Sequence, residues 1–178
     1  MQIFIETKRT ILRQITQQDF DELRSILQDP DVMYAWEYAF EDSDVQNWID
    51  KCISLYNQFN LGYFIAEDKI TGEIIGQAAL MPDTIKNKKY YEIGYILKKQ
   101  HWHKGYATEM AKELAQYAFS KLGLDEVIFE IRPSNKPSQK VVQNLGAQIE
   151  DEFIKNVHGK QMPHLIYKLK AQKHSTFP

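Results

Sequence analysis

The chain has 178 residues, with 22 Lys+Arg against 24 Asp+Glu, and 43% of it is hydrophobic. That length suits one domain with a sizeable core, and 26% charged with 12% aromatic residues excludes wholesale disorder. A net charge of −2 argues against nucleic acid as a partner, and the lone cysteine, Cys52, excludes an internal disulfide. No apolar run approaches a transmembrane span and no signal-peptide pattern opens the chain, so a soluble cytoplasmic protein without membrane attachment is expected.

Thr10 to Arg13 reads as a short strand. Thr16 with Asp19 resembles a capping box, and Phe20, Leu23 and Leu27 then share one helical face that Pro30 closes. Ser43 reads as the cap of a second helix, in which Val45, Trp48, Ile49, Cys52 and Tyr56 keep helical spacing. Cys52 on that stripe is most simply a small buried apolar residue. Tyr63–Glu67 and Glu73–Leu80 form a hairpin around Asp68 to Gly72. A polar turn carrying Lys86, Lys88 and Lys89 follows, read as a solvated tip, and then the strand Tyr90–Leu97.

Gly105 opens the strongest helix, with Ala107, Ala111, Leu114, Ala118 and Leu122 in one stripe and Gly123 as its stop. Val127–Arg132 alternates as a strand, and a shorter helix runs from Pro137 to Gly146. Strands Ile149–Val157 and Leu165–Leu169 close the chain around His158-Gly159, before a polar tail. No repeat, linker or low-complexity segment appears, so the pattern implies one α/β domain.

The chemistry points to the strand–loop–helix around Gly105. The first turn of a helix offers unpaired N–H groups and a positive dipole end, which suits a phosphate. Gly105 and Ala107 lack bulk, and Lys104 with His101 and His103 adds positive charge. The plain alternative is an ordinary strand-to-helix turn with a glycine cap. Neither a P-loop nor a dinucleotide glycine fingerprint occurs, so a phosphate loop here is of another kind.

The segment Trp102-His-Lys-Gly105-Tyr-Ala107 resembles the pyrophosphate loop of the GCN5-related N-acetyltransferases, the GNAT superfamily. Glu92-Ile-Gly-Tyr95 and Gly105-Tyr-Ala-Thr-Glu109 are similar to the branch that acetylates ribosomal protein N-termini. The opening Glu6-Thr-Lys-Arg-Thr-Ile-Leu-Arg13, Asp29-Pro-Asp-Val-Met33, Asn135-Lys-Pro-Ser138 and Leu145-Gly146 extend the likeness over nearly the whole chain. Trp102 and His103 depart from the commoner Gln or Arg and Gly, and Ala147 replaces the usual Phe. Val142 stands where many members carry a tyrosine general acid.

The resemblance implies a GNAT fold over residues 1–170, with a polar tail over 171–178. It implies a mixed central sheet of about seven strands flanked by about four helices. The co-substrate would be acetyl-CoA, its pantetheine arm beside Tyr95, Ile96 and Leu97 and its pyrophosphate over Trp102, His103, Lys104, Gly105, Tyr106, Ala107 and Thr108. Asn135 would bond the pantetheine or a water.

Glu92, among apolar neighbours, is the candidate base, because a desolvated carboxylate has a raised pKa; the alternative is a strand carboxylate paired with a lysine. Ser138 could donate to the departing thiolate, or serve only to start a helix. Tyr34, Trp36 and Tyr38 border the acceptor groove in such a fold, or simply pack against the core. His158 and His164 read as satisfied histidines rather than catalytic ones. The histidines and cysteine show no metal-ligand spacing, so no metal is expected.

The implied activity is acetyl transfer from acetyl-CoA to a primary amine, by direct attack in a ternary complex. The acceptor is a protein N-terminus or a small amine such as an amino acid, polyamine or antibiotic. A non-catalytic acyl-CoA-binding module is the alternative, and a monomer or homodimer fits either.

Overall fold

The computed structural model describes residues 2–157 and 159–172. His158 and most of the expected polar tail therefore lie outside the described residues. In chain order the elements are β1 (Ile3–Glu6), β2 (Thr10–Gln14), α1 (Phe20–Leu27), α2 (Asp42–Phe59), β3 (Gly62–Asp68), β4 (Ile74–Ile85) and β5 (Lys88–Leu97). Then follow α3 (Tyr106–Ser120), β6 (Glu126–Ile131), α4 (Lys136–Asn144), β7 (Gln148–Val157) and β8 (Lys160–Lys170).

The strands form one sheet in the order β1-β2-β3-β4-β5-β6-β8-β7. The pairings are antiparallel except β5 with β6, so the sheet is mixed, as expected. It has eight strands rather than about seven. The extra one is β1, a four-residue edge strand whose Phe4 stacks on Phe64 at 4.0 Å. A segment that short carries too little alternation to be read from sequence.

Several ends also differ. Glu41 caps α2 in place of Ser43, its amide donating to the Asp44 carboxylate at 2.9 Å. Leu122 falls beyond α3, which stops at Ser120, and is half-exposed. The β4–β5 turn is two residues, Lys86 and Asn87, with φ of 49° and 63°, the paired left-handed geometry that matches strand twist. Lys88 and Lys89 therefore belong to β5. Lys86 reaches over to Asp151 at 2.9 Å, so the tip is pinned to β7 rather than merely solvated.

The core is continuous beneath the sheet's apolar positions, with Phe64, Phe129, Tyr167, Leu12 and Ile49 fully buried. Cys52 belongs to it, and burial pushes its thiol up to about 11. Arg13 enters this interior with two carboxylates, Asp19 at 2.7 Å and Glu67 at 2.5 Å. Burial opposes ionisation of Asp19, but the Arg13 guanidinium and the Thr16 amide outweigh it and hold the carboxyl below its usual range.

Candidate active site

Among the described residues, β5 and β6 are bridged at one position, Glu92 opposite Ile128. Past it the strands part, and a cleft of about 170 Å³ opens between them. Gly94 and Tyr95 line it from β5, Ile131 and Arg132 from β6, and Asn135 and Ser138 from the start of α4.

Backbone polarity follows from register. Lys98 donates its amide to Ile75 on β4 at 2.9 Å. Amides alternate along a strand, so Ile96 and Gly94 also face β4, while those of Tyr95 and Leu97 face the gap. Of the three residues expected beside the pantetheine, Ile96 thus offers its amide to the sheet instead. The Leu97 carbonyl is occupied by the Trp102 indole N–H at 2.9 Å, which ties the loop to the strand end.

The loop to α3 is an amide nest. His103 and Gly105 both take left-handed conformations, with φ of 58° and 79°. The first α3 bond inside the turn runs from the Glu109 amide to the Gly105 carbonyl, leaving the amides of Tyr106, Ala107 and Thr108 without acceptors among the described residues. His103, Lys104 and Gly105 are exposed beside them. His101 is not part of this surface: it is buried, with Nε2 3.0 Å from Glu73. Tyr106 contributes its backbone only, since its ring lies under the Arg9 guanidinium at 4.2 Å and its hydroxyl bonds Asp68 at 3.0 Å.

Glu92 lines the cleft and is 8% exposed, with no hydrogen bond or ion pair to a described residue. Burial, then repulsion from Glu130, raises its pKa well above the glutamate range. The alternative of a lysine-paired strand carboxylate is therefore not what the fold builds. Ser138 is half-buried at the cleft wall, and its amide donates to Asn135 Oδ1 at 3.1 Å. Asn135 is thereby the α4 cap, and the same oxygen accepts the Tyr34 hydroxyl at 2.8 Å. Its Nδ2 bonds no described residue.

The aromatic cluster divides. Trp36 lines the cleft, whereas Tyr38 turns to Asp44 at 2.6 Å. His164 lies on the cleft wall, its Nδ1 2.9 Å from the Met162 carbonyl, and burial lowers its pKa. Val142 is fully buried in the core, and its side chain does not line the cleft.

Sequence reading missed Tyr63, Asp83, Glu130 and Lys155. Tyr63 crosses the sheet over Ala79 and Gly94, and a Cβ on Gly94 would lie 2.7 Å from its hydroxyl. That close approach is why glycine stands between Glu92 and Tyr95. Asp83, Glu92 and Glu130 bring carboxylate oxygens within 4.8 Å of one another, the acidic group that could hold a cation among the described residues. Their signal lies in strand pairing, which no local motif records.

The cleft where β5 and β6 part thus lies beside a helix-start amide nest. The family model of the acetyltransferase (GNAT) domain matches residues 9–148, and the chain belongs to that family. It is an acetyl-CoA-dependent N-acetyltransferase. It is 33% identical over 148 residues to the uncharacterized N-acetyltransferase p20 of Bacillus licheniformis, covering 81% of this chain and 82% of that one. The fold is shared with the ribosomal-protein-S5-alanine acetyltransferase of Vibrio fischeri, at TM-score 0.73 and 20% identity over 94% and 96% of the chains. It is shared too with spermidine N-acetyltransferase of Vibrio cholerae, solved with CoA and spermine, at TM-score 0.72 and 16% identity over 91% and 95%. Among the described residues no helix is long and apolar enough to cross a membrane.

Proposed function

We propose that the protein moves an acetyl group from acetyl-CoA to a primary amine by direct attack in a ternary complex, with Glu92 as base. The observation that carries this is the buried, unpaired Glu92 carboxylate in the cleft where β5 leaves β6. The acceptor ammonium gives a proton to Glu92, directly or through water, and the freed nitrogen attacks the thioester carbonyl. A C–N bond forms and the C–S bond breaks, the Ser138 hydroxyl donating a hydrogen bond to the departing thiolate. The second proton of the attacking nitrogen passes to that sulfur, leaving neutral amide and free thiol. The gap-facing amides of Tyr95 and Leu97 suit the pantetheine and the thioester oxygen. The amides of Tyr106, Ala107 and Thr108, with Trp102, His103, Lys104 and Gly105, suit the pyrophosphate. Asn135 Nδ2 suits the pantetheine amides. The site fits CoA on its own chemistry, since the amides of Tyr106, Ala107 and Thr108 have no acceptor among the described residues.

The acceptor is a protein N-terminus or a small amine. The likeness to a ribosomal-protein-S5-alanine acetyltransferase and to a spermidine N-acetyltransferase supports both classes without choosing. A library of amines and N-terminal peptides, assayed for thiol release from acetyl-CoA, tests the proposal. Turnover with at least one member is expected. Intact CoA binding with no turnover across the panel overturns it.

A further inference from the structure

Strand register assembles the acidic group around Glu92. Met81 stands opposite Glu92 across β4 and β5, so Asp83, two residues on, shares its face. Glu92 stands opposite Ile128 across β5 and β6, so Glu130, two residues on, shares it as well. Three neighbouring strands thus put one carboxylate each on one patch. Lys155 from β7 supplies a cation, its Nζ 2.7 Å from Glu130 Oε2. Tyr63 from β3 and Lys51 from α2 also act on the group, and His164 from β8 lies on the cleft wall.

Glu130 is the odd member. Its side chain is 3% exposed, and Oε1 is buried with no hydrogen-bond donor. An ionised Glu130 would leave that oxygen desolvated and unpaired beside two like charges, which is costly. A proton on Oε1 removes both faults: the oxygen becomes a donor, and Asp83 is the acceptor. Burial followed by the Asp83 hydrogen bond raises Glu130, while Asp83, despite its own burial, is lowered by the same bond. That asymmetry agrees with a proton residing on Glu130.

We propose that Glu130 is a positioning residue that holds a proton shared with Asp83, so that Glu92, once it ionises, is the free negative end of the cluster where the acceptor ammonium docks. With that proton in place, an ionised Glu92 beside Asp83 and Lys155 leaves one negative charge on these three groups, which an ammonium neutralises. The proposal rests on the reading of Glu92 as base.

Infrared titration of the unliganded protein tests it without a known acceptor. The protonated-carboxyl band at neutral pH should lose one group's intensity in Glu130→Gln, whose amide is also a neutral donor to Asp83. The midpoint at which Glu92 ionises should stay in place, and so should the acid limb of the turnover profile. A Glu130 that is ionised in the parent predicts instead an unchanged band and a midpoint lower by about one unit or more, because a like charge has been removed. That result overturns the proposal. Should Glu130→Gln fold poorly, Asp83→Asn offers Glu130 an amide donor in place of the shared proton, so the band should fall with Glu130 intact. A band that persists there overturns the proposal too. Full turnover by Glu92→Gln sinks the base reading separately, and the loss of the band in Glu130→Gln then still reports on the shared proton alone.

Discussion

Arg9, between β1 and β2, donates from its guanidinium to the Lys104 carbonyl at 2.9 Å, reaching from one end of the chain to the phosphate-loop candidate. The same guanidinium pairs with Glu109 at 2.6 Å and covers the Tyr106 ring. Glu109 in turn accepts from the Arg9 amide at 2.7 Å. The loop is thus braced from outside, with its own amides left over for a ligand. Arg9→Ala should raise KM for acetyl-CoA about fivefold with kcat little changed, since one such hydrogen bond is worth about 1 kcal/mol. Steady-state kinetics check this; a fall in kcat alone would place the effect elsewhere.

Gly105→Glu puts a side chain and a negative charge over the amide nest. The left-handed φ of 79° at this position costs a non-glycine residue about 1–2 kcal/mol, so the variant should still fold. Thermal stabilisation by CoA should vanish in it. A shift equal to the parent's would put the pyrophosphate elsewhere.

Glu92→Gln keeps shape and hydrogen bonding but removes the basic charge. Turnover should fall about 10²-fold or more, and the loss should shrink as pH rises and more of the amine arrives neutral. Stability should respond oppositely. The folded-state pKa of Glu92 lies above that of an unfolded chain, so its contribution is complete below the ordinary glutamate range. It is lost as pH rises through the raised value. The melting temperature of Glu92→Gln should therefore gain on the parent from about pH 5 to about pH 9. Parallel melting curves would mean the carboxyl is not perturbed.

Val142→Ala leaves a cavity in the core, costing roughly 2 kcal/mol. The pH profile of turnover should not move, because the side chain does not reach the cleft. A changed alkaline limb would give this position a chemical role.

Asp19→Asn breaks a buried pair and should cost about 3 kcal/mol at neutral pH. The Asp19 pKa is depressed in the fold, so its contribution is present above the unfolded value and is lost as pH falls through the folded one. Denaturant melts of parent and variant should converge below about pH 4. A constant gap would mean the charge on Asp19 carries none of the stability.

Much of the site was legible in the sequence because its parts are local. The Gly105 turn, the α3 stripe and Asn135 three residues before Ser138 depend on neighbours a few positions apart, and each lies where its spacing implies. Glu92 was legible as a carboxyl on an apolar strand, and its raised pKa is the consequence of that burial. The ends of elements were less legible: Glu41 out-competes Ser43 as a cap through a reciprocal bond with Asp44 that propensity does not reveal.

Sequence alone determined the α/β order, the phosphate-loop candidate and the likeness to acetyltransferases, because helix periodicity, strand alternation and a glycine turn are written in consecutive residues. Tertiary structure alone decided that His101 turns inward to Glu73, that Arg9 braces the loop 95 positions away, and that Asp83 and Glu130 flank Glu92. Those relationships come from the register of paired strands and from contacts distant in sequence. Local pattern records which face a side chain takes, but not which neighbour it meets there.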